Sequence, residues 1–251
     1  MNTENNNKTL VHIVIPLYNE EKIISKTVEK LVVFLAESKF PYDYIITLVN
    51  NASTDNSSVL CQDLAKKFTH VRVLNLVEKG KGRAVRTAWS SDNIKETDIM
   101  SFMDADLSSD LNFFKPLIDA VVIEKYDLAM GNRLGKNSKV ISRHRLRKLA
   151  SHFYNIFIRI MFRTGIQDHQ CGFKAMRRRT FATVAPFLQD NAWFFDTELI
   201  VQSLEKGLKI KSIDIVWTDS ADSKVSLGKT SYNMFCAAWQ LRKRLNRSSY
   251  K

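Results

Sequence analysis

Four short apolar runs, Val11 to Leu17, Tyr44 to Val49, Val71 to Leu76 and Ile99 to Met103, alternate with stretches of helical periodicity, and this alternation most narrows the fold. A strand covered on both faces reads as a continuous apolar run, and parallel neighbours need a long crossover, usually a helix. The first crossover carries Ile24, Val28, Leu31 and Leu35 at helical spacing. Pro41 ends it, a second helix runs through Leu64, and a third opens at Lys79-Gly80-Lys81-Gly82 and continues through Trp89. The expectation is an α/β fold, a mostly parallel sheet with helices on both faces.

At 251 residues and 45% hydrophobic content, the chain can bury one elaborated core, expected over residues 11–228. Residues 1–10 are polar and Asn-rich, a tail expected to be disordered. Residues 229–251 form a basic amphipathic segment: Met234, Ala238, Leu241 and Leu245 recur three or four apart, with Phe235 and Trp239 beside them and Arg242, Lys243, Arg244 and Arg247 at the end. Such a segment either lies on a membrane surface or packs on the domain. Cys61, Cys171 and Cys236 are too scattered for a disulfide framework or a metal site, and His144, His152 and His169 lack ligand spacing. No apolar run approaches the length of about 18 residues that a spanning helix needs, and Val11 to Leu17 is too short for a signal peptide, so the cytosolic side of a membrane is expected.

The net charge of +12 calls for a polyanionic partner, and its distribution locates it. No acid occurs between Asp127 and Asp168, a segment holding Arg133, Lys136, Lys139, Arg143, Arg145, Arg147, Lys148, Arg159 and Arg163. Within it, Leu146 to Phe162 is expected to be an amphipathic helix whose apolar face, Leu146, Leu149, Ala150, Phe153, Phe157 and Ile160, lies on the core or on lipid, with Arg147 and Ser151 together on another face.

Three polar loops follow strands on what would be one edge of the sheet: Tyr18 to Glu20, Asn50 to Asp55, and Asp104 to Asp106. Ligands of open α/β sheets bind at that edge. Asp104 and Asp106, one residue apart, repel each other unless a hard cation held with a ligand's phosphates neutralises them. Singly, each loop is equally a turn or helix cap. Lys79 to Gly82 suits a phosphate but is neither a Walker loop nor a dinucleotide fingerprint.

Several motifs in order resemble family 2 glycosyltransferases: Ile13-Val14-Ile15-Pro16-Leu17-Tyr18-Asn19-Glu20-Glu21, Asn50 to Asp55, Lys79 to Arg86, and Met103-Asp104-Ala105-Asp106. Asp168-His169-Gln170-Cys171-Gly172-Phe173-Lys174, Trp193 to Leu199 and Val216-Trp217-Thr218 resemble the dolichyl-phosphate β-glucosyltransferases and their prokaryotic polyprenyl-phosphate relatives. The resemblance implies a GT-A type fold and inverting transfer of a sugar, with glucose from UDP-glucose the leading expectation, to a polyprenyl or dolichyl phosphate. It implies Pro16, Tyr18, Glu20 and Asn51 around the nucleoside, Lys81 and Asp104 at the nucleotide-sugar, and Asp106 on Mg²⁺ or Mn²⁺. It brings Arg133, in Gly131-Asn132-Arg133, together with Arg147 and Ser151 at the lipid phosphate. Asp196 and Glu198 are candidates to orient acceptor or sugar, against a reading as first-turn helix acids.

The chain departs from that pattern at Asn50-Asn51, where many relatives have Asp-Asp; an amide both donates and accepts, so mannose from GDP-mannose stands as the alternative donor. A nucleic-acid-binding protein would explain the charge but not the acidic strand end, and no such module is present in the sequence. A nucleotidyltransferase would need an early Gly-rich loop, and Val11 to Asn19 has no glycine.

Overall fold

The computed structural model describes residues 9–91, 97–141, 145–219 and 227–248, without the side chains of 145–148, 227–229 and 247–248. The expectations for residues 1–8 and for the Arg143, Arg145, Lys148 and Arg147 side chains lie outside this description.

Strand β1 (Leu10–Leu17), helix α1 (Ile24–Glu37), β2 (Asp43–Asn51), α2 (Ser57–Lys67), β3 (Val71–Leu76), α3 (Lys81–Trp89) and β4 (Ile99–Met103) follow the expected alternation. After them come α4 (Phe114–Val122), β5 (Leu128–Asn132), β6 (Lys139–Ile141), α5 (Arg145–Phe162), β7 (Phe173–Arg177), α6 (Arg178–Val184), α7 (Phe195–Glu205), β8 (Ile210–Asp214), β9 (Val216–Thr218) and α8 (Leu227–Ser248). The main sheet has the order β3-β2-β1-β4-β7-β5-β8, and β6 pairs with β9 in a separate parallel ribbon. Strand β7 is antiparallel to both β4 and β5, whereas the remaining pairs of the main sheet are parallel.

Alternation along the strands explains the two covered faces. Val11, Ile13, Ile15 and Leu17 of β1 join the core under α1, α2 and α4, while Val14 joins the core under α3, α6 and α7. A third cluster packs Tyr154, Ile158 and Phe162 of α5 against Val201 of α7 and Met234, Ala238 and Leu241 of α8. The terminal helix is therefore seated on the domain by the stripe identified from its spacing.

Of the two sides left open to the apolar face of helix α5, the core or lipid, the core is not the one it takes. Leu149, Phe153 and Ile160 face outward, and the buried face is built from Tyr154, Asn155, Ile158 and Phe162. The helix has apolar residues over more than half its circumference, so spacing alone did not choose the packing face; α8 did.

Three loops at the carboxyl edge each contain a residue with left-handed backbone: Asn19 (φ 55°), Ala52 (φ 58°) and Leu107 (φ 48°). Ala52 has no polar side chain to favour this conformation, which costs about 1–2 kcal/mol for an L-residue. Glycine would relieve that strain and lose about 0.5–1 kcal/mol through unfolded-state entropy. Ala52→Gly is expected to stabilise the fold by up to about 1 kcal/mol, a rise of about 2–4 °C in Tm for a chain of this size; a lower Tm in a thermal melt contradicts it.

Candidate active site

The sheet opens where β1 and β4 part. Their pairing ends at Val14 with Phe102, whereas β1 continues beside β2 as far as Leu17 with Asn50. The strand order reverses at β1, and such a switch point makes a crevice at the carboxyl edge. Pro16 and Tyr18 lie on one side of it and Asp104 on the other.

The loops after β1 and β2 hold one another. Ser53 Oγ accepts from Asn19 N at 2.9 Å, Asn19 Oδ1 accepts from Thr54 N at 2.7 Å, and Ser57 Oγ accepts from Glu20 N at 2.8 Å. Lys79 Nζ donates to the Tyr18 hydroxyl. Asn51 Oδ1 accepts from Gly80 N at 2.9 Å, so this amide turns its carbonyl to the protein and keeps its Nδ2 donor for another partner. The amides of Gly82 and Arg83 donate to the carbonyls of Ala192 and Asn191, each at 3.1 Å. The Gly80 and Gly82 amides of this turn are thus engaged by the protein, and the turn carries the Lys81 side chain to Asp104.

Strand β4 is buried throughout and carries Asp104 out at its end. Thr27 Oγ1 donates to the carbonyl of buried Ala105 at 2.6 Å, pinning the Asp-Ala-Asp turn to α1. Asp106 is exposed, and its Oδ1 accepts from Ser108 N at 3.0 Å. Because β7 runs antiparallel, its start lies beside the end of β4, with Met103 opposite Phe173. Gly172 then lies against Asp104: a Cβ there would be 2.1 Å from Asp104 Oδ2.

Lys81 Nζ pairs with Asp104 Oδ1 at 2.8 Å and Asp196 Oδ2 at 3.1 Å. Lys174, wholly buried, pairs with Asp196 Oδ1 and donates to the Cys171 carbonyl, both at 2.6 Å. Burial pushes the Asp104 carboxyl up; Lys81 opposes this, while Asp106 and Asp196 add repulsion. Burial would lower the Lys81 ammonium's pKa, but Asp104 and Asp196 together hold it above the ordinary lysine value.

Strand β5, also antiparallel to β7, delivers Arg133 to the same edge. Buried Asp168 accepts from Arg133 Nε at 2.7 Å, Nη2 at 2.9 Å and the backbone N at 3.0 Å, and from Gln170 N at 3.1 Å. Burial would raise the Asp168 carboxyl, yet the Arg133 guanidinium and these backbone donors hold it down at about 2. The Arg133 guanidinium carbon lies 5.4 Å from the Trp217 ring centre, and with Nε and Nη2 on Asp168, Nη1 is the guanidinium nitrogen outside that fork. Ser151 on α5 is tied to the same loop: its carbonyl accepts from Asn155 Nδ2 at 2.9 Å, and Asn155 Oδ1 accepts from His169 N at 2.8 Å.

Asp104 and Asp106 therefore stand at the open carboxyl edge, with Lys81 and Asp196 buried behind Asp104, Arg133 at the end of β5 on the same edge, and Pro16, Tyr18, Glu20 and Asn51 on the β1–β2 side. Glu198 is placed differently. It is fully buried, its Oε2 accepts from Gln189 N at 2.8 Å and Asp190 N at 2.7 Å, and its Oε1 accepts from Arg244, which braces α8 against the loop before α7. Trp193 is half-exposed, its ring centre 5.4 Å from Lys81 Nζ, whereas Phe194 and Phe195 are core. The sequence motifs assign no role to Asp168 or Lys174. A charged residue inside an apolar strand requires a buried counter-ion, and this is the sequence signal that Lys174 carries.

The donor set fits a divalent cation shared with a diphosphate. Among the described residues no group of three His, Cys, Asp or Glu side chains converges. Asp104 and Asp106 would supply hard oxygen ligands, and Asp104 keeps 40% of its side-chain surface open. Mg²⁺ and Mn²⁺ take such a pair of carboxylates with phosphate and water completing the shell.

A mostly parallel sheet with this strand order and an Asp-x-Asp pair at its switch point is a GT-A type fold. The chain belongs to glycosyl transferase family 2, whose sequence profile matches residues 12–184. It is 31% identical to glycosyltransferase AglD of Haloferax volcanii over 219 residues, covering 86% of this chain but 34% of AglD, so it spans about a third of that relative. It is 28% identical to the dolichyl-phosphate β-glucosyltransferase of Saccharomyces cerevisiae, over 92% of this chain and 73% of the yeast protein. Among solved structures, glucosyl-3-phosphoglycerate synthase from Mycobacterium tuberculosis in complex with UDP superposes with a TM-score of 0.65 at 18% identity, covering 94% of this chain and 81% of the synthase. A complex of the same enzyme with Mn²⁺, UDP-glucose and phosphoglyceric acid gives a TM-score of 0.66 at 16% identity, over 94% and 80% of the two chains. These likenesses establish the fold, and the family establishes a glycosyltransferase.

Proposed function

We propose that this enzyme transfers glucose from UDP-glucose, with inversion, to the phosphate of a polyprenyl lipid at the cytosolic face of a membrane, using Mg²⁺ or Mn²⁺. The observation that carries this reading is the placement of Arg133, held by Asp168 and Trp217 beside the Asp-Ala-Asp turn, next to a helix whose outward face is apolar. A phosphate site between a carboxylate pair and an apolar surface suits an anionic headgroup on a hydrocarbon chain. The dolichyl-phosphate β-glucosyltransferases among the relatives support the acceptor and the sugar.

The residues then divide the work. Tyr18, Pro16, Glu20 and Asn51 hold the nucleoside. Asp104 and Asp106 hold the cation, which supplies charge stabilisation to the leaving diphosphate when bound. Arg133, with Arg147 and Ser151, orients the acceptor phosphate for in-line attack on the sugar's anomeric carbon. That phosphate is already an anion, so no side chain has to remove a proton; positioning and charge stabilisation remain. Accordingly Asp196, with both oxygens on lysines, has a positioning part.

A donor screen tests this: purified protein, Mn²⁺ or Mg²⁺, a short polyprenyl phosphate, and UDP-glucose, UDP-galactose, UDP-N-acetylglucosamine or GDP-mannose, with glycolipid as the readout. UDP-glucose is expected to give the highest rate. GDP-mannose, kept in view by Asn51's donor amide, would replace it if faster; no glycolipid from any donor would overturn the reading.

Among the described residues no helix is long and apolar enough to cross a membrane. Leu149, Phe153, Ile156 and Ile160 form an outward stripe on α5, and Tyr232, Phe235 and Trp239 form another on α8. The two stripes meet through Phe157 and Phe235, whose ring centres are 4.7 Å apart. Ile160 is 74%, Phe153 62% and Trp239 57% exposed, and Arg242 and Lys243 border the groove beside them, which suits an anionic headgroup region. Removing α8 would strip Met234, Ala238 and Leu241 from the core, so point substitutions are the appropriate test. Combined Phe153→Ser, Ile160→Ser and Trp239→Ser is expected to cut flotation with anionic liposomes at least about tenfold, since each buried large apolar side chain contributes about 1.5–3 kcal/mol. Undiminished flotation removes this surface from the membrane contact.

A further inference from the structure

We propose that Lys81 is the resident counter-cation of Asp104, exchanged for the divalent cation when the nucleotide-diphosphate arrives, and that Asp196, itself held by Lys174, retains Lys81 through the exchange. The inference rests on the donor-site reading above. It starts from an unbroken chain of buried charges: Lys174 to Asp196 at 2.6 Å, Asp196 to Lys81 at 3.1 Å, and Lys81 to Asp104 at 2.8 Å. Two lysines share one carboxylate in the middle, so Asp196 is locked by its neighbours and does not turn. Only the last link faces the crevice, because the side chain of Asp104 is 40% exposed while those of Lys81, Asp196 and Lys174 are 7%, 3% and 0% exposed.

Lys81 and a metal ion would compete for the same carboxylate. A cation arriving alone must draw Asp104 away from Lys81, and the displaced ammonium gains no new anion. A cation arriving with a diphosphate brings anionic oxygens to the same place. The lysine ammonium is a compact charge with three donors, so it can keep Asp196 with one and give another to the diphosphate. Because Asp196 remains its counter-ion, Lys81 stays charged in its buried position. Metal and diphosphate binding are then coupled through Lys81, and the coupling is reciprocal.

The test is Mn²⁺ binding followed by electron paramagnetic resonance, with and without UDP, for wild type and for Lys81→Gln, which keeps an amide donor for the two carboxylates. Wild type is expected to bind Mn²⁺ weakly alone and at least about tenfold more tightly with UDP. Lys81→Gln should bind Mn²⁺ alone at least about fivefold more tightly than wild type, and the gain on adding UDP should shrink. If wild type shows no coupling between Mn²⁺ and UDP, the donor-site reading itself fails. If it does, but Lys81→Gln binds Mn²⁺ alone no better than wild type, the exchange alone is overturned. A measurement without substitution guards against a variant that does not fold: in wild-type protein with isotope-labelled lysine, one of the two slowly exchanging ammonium resonances of Lys81 and Lys174 should move on adding Mg²⁺ and UDP together. If neither moves, the exchange is overturned.

Discussion

Asp106→Asn is expected to lower transfer at least about a thousandfold, close to 4 kcal/mol of transition-state stabilisation, with a Tm equal to or above that of wild type. The fold has little stake in this carboxylate's charge. Asp106 is exposed, and the bond it accepts from Ser108 N needs only Oδ1, which asparagine also has. What asparagine lacks is the negative oxygen pair that a hard cation prefers. Its removal also relieves repulsion on Asp104, whose carboxyl Asp106 helps to push up. Glycolipid formation and a thermal melt of the same preparation check both halves. Wild-type transfer would remove Asp106 from the metal site, and a markedly lower Tm would make its part structural.

The second large effect is at the Arg133–Asp168 pair, where charge and geometry separate. Arg133→Lys keeps a cation but loses the fork that Asp168 and Trp217 orient. It is expected to cut transfer at least about tenfold, or about 1.4 kcal/mol, with UDP-glucose affinity in the absence of acceptor near wild type. Asp168→Asn instead places an amide where the buried carboxylate accepts four hydrogen bonds, three of them from Arg133. Breaking a buried pair by removing one partner costs about 3–5 kcal/mol, so Asp168→Asn should lower stability by that order as well as transfer. The pair also has a pH signature. The folded pKa of Asp168 is depressed from the model-peptide value of 3.8 to about 2. Its stabilisation is thus present above about pH 4 and lost as the pH falls towards 2, on the order of 2 kcal/mol. Chemical denaturation at stepped pH should show that loss in wild type and lack it in Asp168→Asn. Full activity of Arg133→Lys would leave only a diffuse basic field at the acceptor, and equal acid sensitivity of the two proteins would rule out Asp168 as its source.

Much of the fold was legible because its first half is local in character. Ile99–Met103 is the strand expected from its apolar run, and α1 buries Ile24, Val28, Leu31 and Leu35 as their spacing required. The Asp-Ala-Asp turn at the end of β4 is legible for the same reason: strand length and alternation put it at the sheet edge. The inward face of α5 was not legible, because Leu149, Phe153 and Ile160 are as apolar as the residues that α7 and α8 cover. Nor was the bracing part of Glu198, since a first-turn acid reads as a helix acid until the loop at Gln189 and Asp190 is seen folded onto it.

The sequence by itself determined the βα order, the carboxylate pair, the acid-free basic stretch and, through motifs in order, the family. Each depends on residues close together along the chain, where backbone periodicity and turn chemistry act. The tertiary structure alone decided the direction of β7. Running antiparallel between β4 and β5, it brings Gly172 onto Asp104 and lets β5 deliver Arg133 beside them. It also decided that Lys81, Asp104, Lys174 and Asp196 neutralise one another. These partners are up to 115 residues apart, the separation of Lys81 and Asp196, and nothing in local propensity links them. Burial does, because an ammonium or carboxylate taken out of water is tolerated only against its opposite.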